Sequence, residues 1–463
     1  MLYAAKMIRR EVKDSVALGF PLLMAWIIYS LSPFIGIVMI AKLGKDALAA
    51  SILVTMIWGA GITFCFGIFH SVSVLVSQQL GAKNFEAISE VMGQAFFLNI
   101  LLWVPLISLM LFVPYLVHWS LPSKEVILYV AQYAHALILA VPGLITLVIF
   151  EHFLSGIGRT KMSLWISLWE IPLEIFLMYI FVFGKLGIPA FGIAGVGYGL
   201  AFSFSITTVG LLIFLHYAPF MRPFNIYQYL GNFNWHYCKE MLRIGLPVGL
   251  SYFIELLTFT VATYFISRFN TTMLAAHQIV MQFLNIVITI PYALSQSVSI
   301  RVGQFVGCQN KEGVWYASYV GLGICIFSAM IIFFILLLFP KLLLSIDFDV
   351  NDPKNNLLTH EAVSLFLILS VYQLVDTIRI AELGALRGLK DTRYPMLVTL
   401  ISFFGVGLII AYFLGIVLNY EAEGVWVGLT SGMILGMLLL FIRLKKIIKN
   451  ADLLTVLSIS QRI

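Results

Sequence analysis

Acidic residues inside long apolar runs are the first candidates for chemistry in this sequence. Glu255 lies about halfway along one run, and Asp376 lies in another, in the stretch YQLVDTIR. A charge at the centre of a membrane helix costs about 2.5–3.5 kcal/mol on insertion scales, so such residues are functional candidates. Burial disfavours the ionised form of a carboxyl. Each residue could therefore be protonated in one state and ionise when a cation or water arrives.

A further candidate for ion coupling, Glu382, and a charge partner, Arg379, share a helix face with Asp376. Asp376, Arg379 and Glu382 stand at positions i, i+3 and i+6, which a helix aligns along one side. The spacing is typical of a static ladder of salt bridges. It is equally typical of an arginine that keeps Asp376 ionised until a cation competes.

Glu170 and Glu174 form a separate pair in the stretch EIPLE. Residues four apart share a helix face, and two neighbouring carboxyls tend to hold one proton between them. Pro172, between them, would free a backbone carbonyl. The pair therefore favours H⁺ over Na⁺ as its ion.

Other polar residues in the apolar runs are assigned to structure. We expect a core polar contact for His70 and a helix–helix hydrogen bond for His277. Glu151 and His152 end the fourth run and are predicted to be interfacial. The cysteines show no CxxC or Cys/His spacing and are predicted to be inert buried thiols: Cys65, Cys238, Cys308 and Cys325.

The composition identifies the elements that must position these residues. Of 463 residues, 61% are hydrophobic and 11% charged, with a mean hydropathy of +0.99. Soluble domains carry about 25% charged residues, so a soluble enzyme, a nucleic-acid binder and a disordered scaffold are excluded. The runs are too long and continuous for barrel strands. They predict twelve membrane helices, near 15–41, 47–79, 90–118, 127–152, 162–184, 190–216, 243–268, 273–305, 314–344, 357–384, 394–418 and 423–449.

The basic residues predict the orientation of these helices. An even number of spans leaves both termini on one side, where 20 of the 28 Lys and Arg residues fall, against seven on the opposite side. Positive residues favour the cytoplasmic side. We therefore expect a multi-pass protein of the inner cell membrane with both termini in the cytoplasm.

The chain also matches itself at an offset of 226 residues. The matched residues include Gly19 with Gly245, Pro21 with Pro247, Gln78 with Gln304, and Asn84 with Asn310. This duplication predicts two six-helix lobes related by a pseudo-two-fold axis along the membrane normal. They are expected at 1–216 and 243–463, and the second ends in a basic cytoplasmic tail. Residues 217–242 are predicted to form a cytoplasmic interfacial linker. Two such lobes could rock around a cleft, and because GxxxxGK[ST] is absent, an ion gradient would supply the energy.

Several stretches resemble the MATE (multidrug and toxic compound extrusion) family, in its NorM-like branch, over nearly the whole chain. They are IGLPVGLSYFIE at 244–255, LAAHQIV at 274–280, SVSIRVGQFVG at 297–307, ALRGLKDTRYP at 385–395, DALAASI at 46–52 and VSQQLGAKN at 76–84. The resemblance implies export of amphipathic, often cationic, compounds in exchange for Na⁺ or H⁺. We expect H⁺ to be the preferred ion, and a monomer.

The resemblance also bears on the candidate residues. Glu255 and Asp376 match acidic positions of the family's C-terminal cation site, which implies that they could hold Na⁺ without binding a metal tightly. Relatives are mostly apolar at Arg379. Gly36 falls where many relatives have an aspartate, and we hypothesise that Glu170 and Glu174 supply the missing charge.

A substrate cleft is expected between the lobes, and its candidate residues are Tyr29, Tyr292, Gln278 and Gln282. Tyr29 is the repeat counterpart of Glu255, so the two lobes differ chemically. The alternative within the superfamily is a flippase for lipid-linked oligosaccharides, but the buried charges are mainly acidic, which favours cationic substrates. An intramembrane enzyme would need a convergent His/Ser/Asp or HExxH group, and the sequence has none, so we expect no enzymatic activity.

Overall fold

The structure, a computed structural model, describes residues 2–118, 123–450 and 452–457. Within these ranges we number the spans α1 to α12, counting as one span the bent pair that forms α4. They are Ala5–Ala41, Lys45–Gly81, Phe85–His118, Lys124–Ile138 with Val141–Gly156, Thr160–Phe183, Ile193–Tyr217, Trp235–Ser267, Thr271–Gly307, Lys311–Leu338, Pro353–Gly388, Arg393–Val417 and Glu421–Asn450. The two parts of α4 meet at 50°. The prediction of an all-α protein with twelve spans is confirmed. Arg462, in the basic tail, lies outside the described residues.

Two helices begin well before the residue predicted for their start. Helical structure starts at Leu2 in α1 and at Trp235 in α7, rather than near 15 and 243. Both extensions carry a polar face, which lowers the local hydropathy without interrupting a helix. In α7 the apolar face is Cys238, Met241 and Ile244, three residues apart and all buried. The polar segment that follows α6 therefore ends in a helix.

The described chain forms two compact units. The N-terminal unit contains residues 24–249, and the C-terminal unit contains residues 2–23 together with 250–457. In the N-terminal unit, α6 packs against α4 and α5, and α2 packs against α4. In the C-terminal unit, α10 packs against α8, α9 and α12. The part of α10 that contains Asp376, Arg379 and Glu382 is consequently buried, and a charge there is costly unless it finds a partner inside the protein.

Each unit contains the same turn. Lys83 and Gln309, 226 residues apart in sequence, both have a φ of 57°. The next residue, Asn84 or Asn310, accepts a hydrogen bond from the backbone N–H three residues later, at 3.2 and 2.9 Å. Such side chains satisfy the free N–H groups at a helix start. The repeat seen in the sequence is therefore also a repeat of backbone geometry.

Candidate functional site

Two glutamates project from α5 into the interior of the N-terminal unit. Glu170 and Glu174 are 0% and 1% exposed, as expected for residues one helical turn apart on a buried face. The helix continues through Pro172 from Thr160 to Phe183. The sequence-predicted pair is thus brought together inside the protein rather than at a surface facing lipid.

A break in α1 brings hydroxyl groups to these carboxylates. The helix Leu2–Tyr29 ends at Ser30 and resumes at Leu31, because Pro33 cannot donate a backbone hydrogen bond to the carbonyl of Tyr29. The phenol of Tyr29 lies 3.2 Å from Glu170 Oε2. On the other side of the break, the hydroxyl of Ser32 donates to Glu174.

A third carboxylate, from α4, completes the cluster. Tyr29 donates a hydrogen bond to Glu151 Oε1 at 2.6 Å. The prediction that Glu151 and His152 lie at an interface was wrong. Glu151 contacts α1, and His152 is buried beside His70, with ring centroids 4.6 Å apart. The signal that could have identified Glu151 is the one that identified Glu170, a carboxyl within an apolar run.

The proton count of this cluster follows from its geometry. A phenol carries one proton, so Tyr29 can donate to only one of the two carboxylates near it. The other short contact is favourable when a protonated carboxyl donates to the phenol oxygen. The arrangement of Tyr29, Glu151 and Glu170 therefore fits a group that holds at least one proton besides that of the phenol.

These side chains line a cavity of about 370 Å³ in the N-terminal unit. Its other walls are mainly apolar and aromatic, with Trp58, Phe66 and Tyr133 among them. No Lys or Arg is found among the described residues that line it. Gly36 also lines this cavity, and a Cβ there would meet only Val196 and Met178, at 3.8 and 3.9 Å. The position at which the family resemblance implies an aspartate thus faces the space that holds the three glutamates.

The carboxylates of the C-terminal unit have a different partner. Arg379 on α10 places Nε 2.7 Å from Asp376 Oδ1 and Nη2 2.7 Å from Glu255 Oε1 on α7. Tyr292 on α8 donates to Glu255 Oε2 at 2.7 Å. All three charged residues are buried. One guanidinium therefore bridges two carboxylates from two helices.

The predicted ladder along α10 is present only in its first step. Arg379 pairs with Asp376 and then with Glu255, rather than with Glu382. Both oxygens of Glu382 are buried without a hydrogen-bond partner in the described part of the chain. The ladder fails because Glu255, on a neighbouring helix, offers the guanidinium a closer carboxylate than the next turn of α10 does.

The other predicted cleft residues are on α8. Gln278 and Gln282 are exposed, and Gln282 donates to Asp347 at 3.3 Å. Their role in a cleft stays a prediction. His277, which directly precedes Gln278, is buried and forms the predicted helix–helix hydrogen bonds. Its Nδ1 accepts from Trp426 Nε1 at 3.2 Å, and its Nε2 lies 2.9 Å from Thr263 Oγ1.

Comparisons with known proteins place this geometry in a family. The family model MatE matches residues 21–180 and 247–413. The chain is 30% identical over 431 residues to a probable multidrug resistance protein NorM of Burkholderia mallei, covering 92% of this chain and 90% of that protein. It is 29% identical to the protein of the same name from Bacillus subtilis, covering 96% and 97%.

Solved structures show the same fold. A eukaryotic MATE transporter matches with a TM-score of 0.82 at 19% identity, covering 97% of this chain and 98% of that one. A MOP superfamily transporter from Pyrococcus furiosus matches with a TM-score of 0.83 at 18% identity, covering 95% and 97%. The chain is a multi-pass membrane protein, and with both halves of its sequence matched by the family model, it belongs to the MatE family.

Proposed function

We propose that this protein is a secondary active exporter of amphipathic, often cationic, small molecules in exchange for a cation, with H⁺ preferred to Na⁺. The multidrug resistance proteins to which it is similar support export. The observation that carries the exchange step is the cavity of the N-terminal unit, where three glutamates meet and the described lining includes no basic side chain.

A cavity with this charge favours a cation. Glu151, Glu170 and Glu174 together need positive charge or protons, since isolated carboxylates are strongly disfavoured in an apolar site. Aromatic walls attract organic cations through their ring faces. A compound with a positive charge and an apolar body fits both features of the site.

The same carboxylates explain why a proton could drive export. A bound proton and a bound organic cation neutralise the same groups, so each weakens the binding of the other. Such negative coupling between two ligands is what exchange requires. The two contacts of the Tyr29 phenol with Glu151 and Glu170 fit a bound proton and so support H⁺ as the exchanged ion. The location of Gly36 in the cavity wall supports the view that these glutamates replace the family's aspartate.

We further propose that the protein works by alternating access as a monomer in the inner membrane, with both termini in the cytoplasm. The distribution of Lys and Arg supports that orientation. The even number of spans requires the two ends to share a side.

Transport in everted vesicles tests the proposal. Efflux of an ethidium-type dye is followed with a pH gradient and a Na⁺ gradient imposed separately. The double variant Glu170→Gln, Glu174→Gln should lose the response to the pH gradient, whereas Glu125→Gln, an exposed residue at the start of α4, should retain it. Unaltered pH-driven efflux in the double variant would refute the assignment.

A further inference from the structure

The C-terminal unit already contains a cation of its own. The guanidinium of Arg379 lies 2.7 Å from one oxygen of Glu255 and 2.7 Å from one oxygen of Asp376. Arginine is charged at every pH a protein meets. A positive group therefore stands between these two carboxylates without any ion from solution.

Little coordinating capacity is left for a dissolved ion. The two carboxylates have four oxygens, and Arg379 and Tyr292 contact three of them. The fourth, Asp376 Oδ2, has no hydrogen-bond partner among the described residues. Hard cations are held by several oxygens at once, and one free oxygen does not provide that.

The guanidinium is also held firmly where it is. Arg379 is 1% exposed, and its Cζ lies 5.3 Å from the centre of the Phe403 ring, a distance at which a ring face attracts a cation. Moving it away would leave two buried carboxylates unpaired, which is strongly destabilising. Being tethered, it competes at an effective concentration of the order of millimolar or more.

We propose that Arg379 occupies the cation position of the C-terminal unit and makes Glu255 and Asp376 insensitive to alkali cations. Arg379 is thereby a specificity-determining residue, because the exchanged ion then binds at the glutamates of the N-terminal unit. The inference rests on the proposed function only in assigning the exchanged ion to the N-terminal unit, since what it states of Glu255 and Asp376 is an ion-binding property.

Thermal unfolding of the purified full-length protein in detergent measures that property without any transport. The Tm is compared in NaCl and in choline chloride of equal concentration, at alkaline pH, over about a hundredfold range of salt. The wild type should unfold at the same temperature in both salts. Arg379→Gln should gain a Tm increase of a few degrees that is specific to Na⁺.

Two further variants show which carboxylate produces the Na⁺-specific increase in Tm. Adding Asp376→Asn to Arg379→Gln should abolish it, whereas adding Glu170→Gln should not. A folded Arg379→Gln without a Na⁺ response would overturn the proposal. If that variant does not fold, the Tm of the wild type is compared with that of Asp376→Asn in the two salts. No Na⁺-specific change in the Tm of either protein supports the proposal. A Na⁺-specific increase in the wild type that Asp376→Asn removes overturns it.

Discussion

Tyr29 and Glu151, 122 residues apart in sequence, are joined by a hydrogen bond of 2.6 Å between α1 and α4. The bond forms at the point where the helical hydrogen bonding of α1 is interrupted, so the break positions the phenol. Because Tyr29 also contacts Glu170, it links one carboxylate of α4 with one of α5. Glu151 thus becomes part of the candidate site.

Replacing Glu151 should impair transport as strongly as replacing its neighbours in the cluster. We expect Glu151→Gln and Tyr29→Phe each to reduce pH-driven dye efflux about tenfold or more, since a hydrogen bond to a charged group contributes about 1.5–3 kcal/mol. The double variant should be no worse than the more severe single variant, because one change weakens and the other removes the same contact. Additive losses in vesicle efflux would show that the two residues act separately.

Replacing Glu382, unlike replacing Glu151, should do no harm. It is buried and has no hydrogen-bond partner in the described ranges, so an apolar side chain of similar length avoids the cost of an unsatisfied group. Glu382→Met should therefore keep or raise the Tm, whereas Asp376→Asn, which weakens the contact with Arg379, should lower it. Thermal unfolding compares the two. Loss of pH-driven efflux in a stable Glu382→Met would instead make Glu382 a coupling residue, as the sequence predicted.

His277 should matter for stability rather than for transport. Its two nitrogens connect α8 to α12 and α7 through Trp426 and Thr263. His277→Leu would leave the indole N–H and the threonine without this partner, at a cost of about 1–3 kcal/mol. The exposed His118 at the end of α3 provides the control, and His118→Leu should leave the Tm unchanged. An equal Tm for both variants would contradict this role.

The exposed Cys308 reports the orientation of the chain. It follows α8 directly, beyond the end of the apolar helix, so the prediction of a buried thiol was wrong for Cys308, whereas the other three cysteines are buried. On the predicted topology this turn is cytoplasmic, so a membrane-impermeant maleimide should label the protein in everted vesicles but not in intact cells. In a Cys308→Ser background, Asn351→Cys, in the exposed loop before α10, should show the reverse pattern. Labelling of Cys308 in intact cells would invert the topology.

The helices were predictable because hydrophobic length alone selects a membrane span. Hydrophobic length was enough to predict where ten of the twelve helices begin. The other two, α1 and α7, begin with amphipathic extensions, and their polar faces lower the average hydropathy below that of a span. The prediction of His277 as a helix–helix contact succeeded for a related reason, since a polar group in an apolar run must find a partner.

The spans, their repeat and the identity of most buried carboxyls follow from the order of residues, because apolar length and the cost of a buried charge do not depend on which helices are neighbours. Which groups meet depends on how the helices pack. Spacing along α10 shows which residues share a face, but not that α7 brings Glu255 to Arg379 in place of Glu382. The same holds for Glu151, whose partner comes from α1. Charge pairing depends on distances across helices, and packing alone sets those distances.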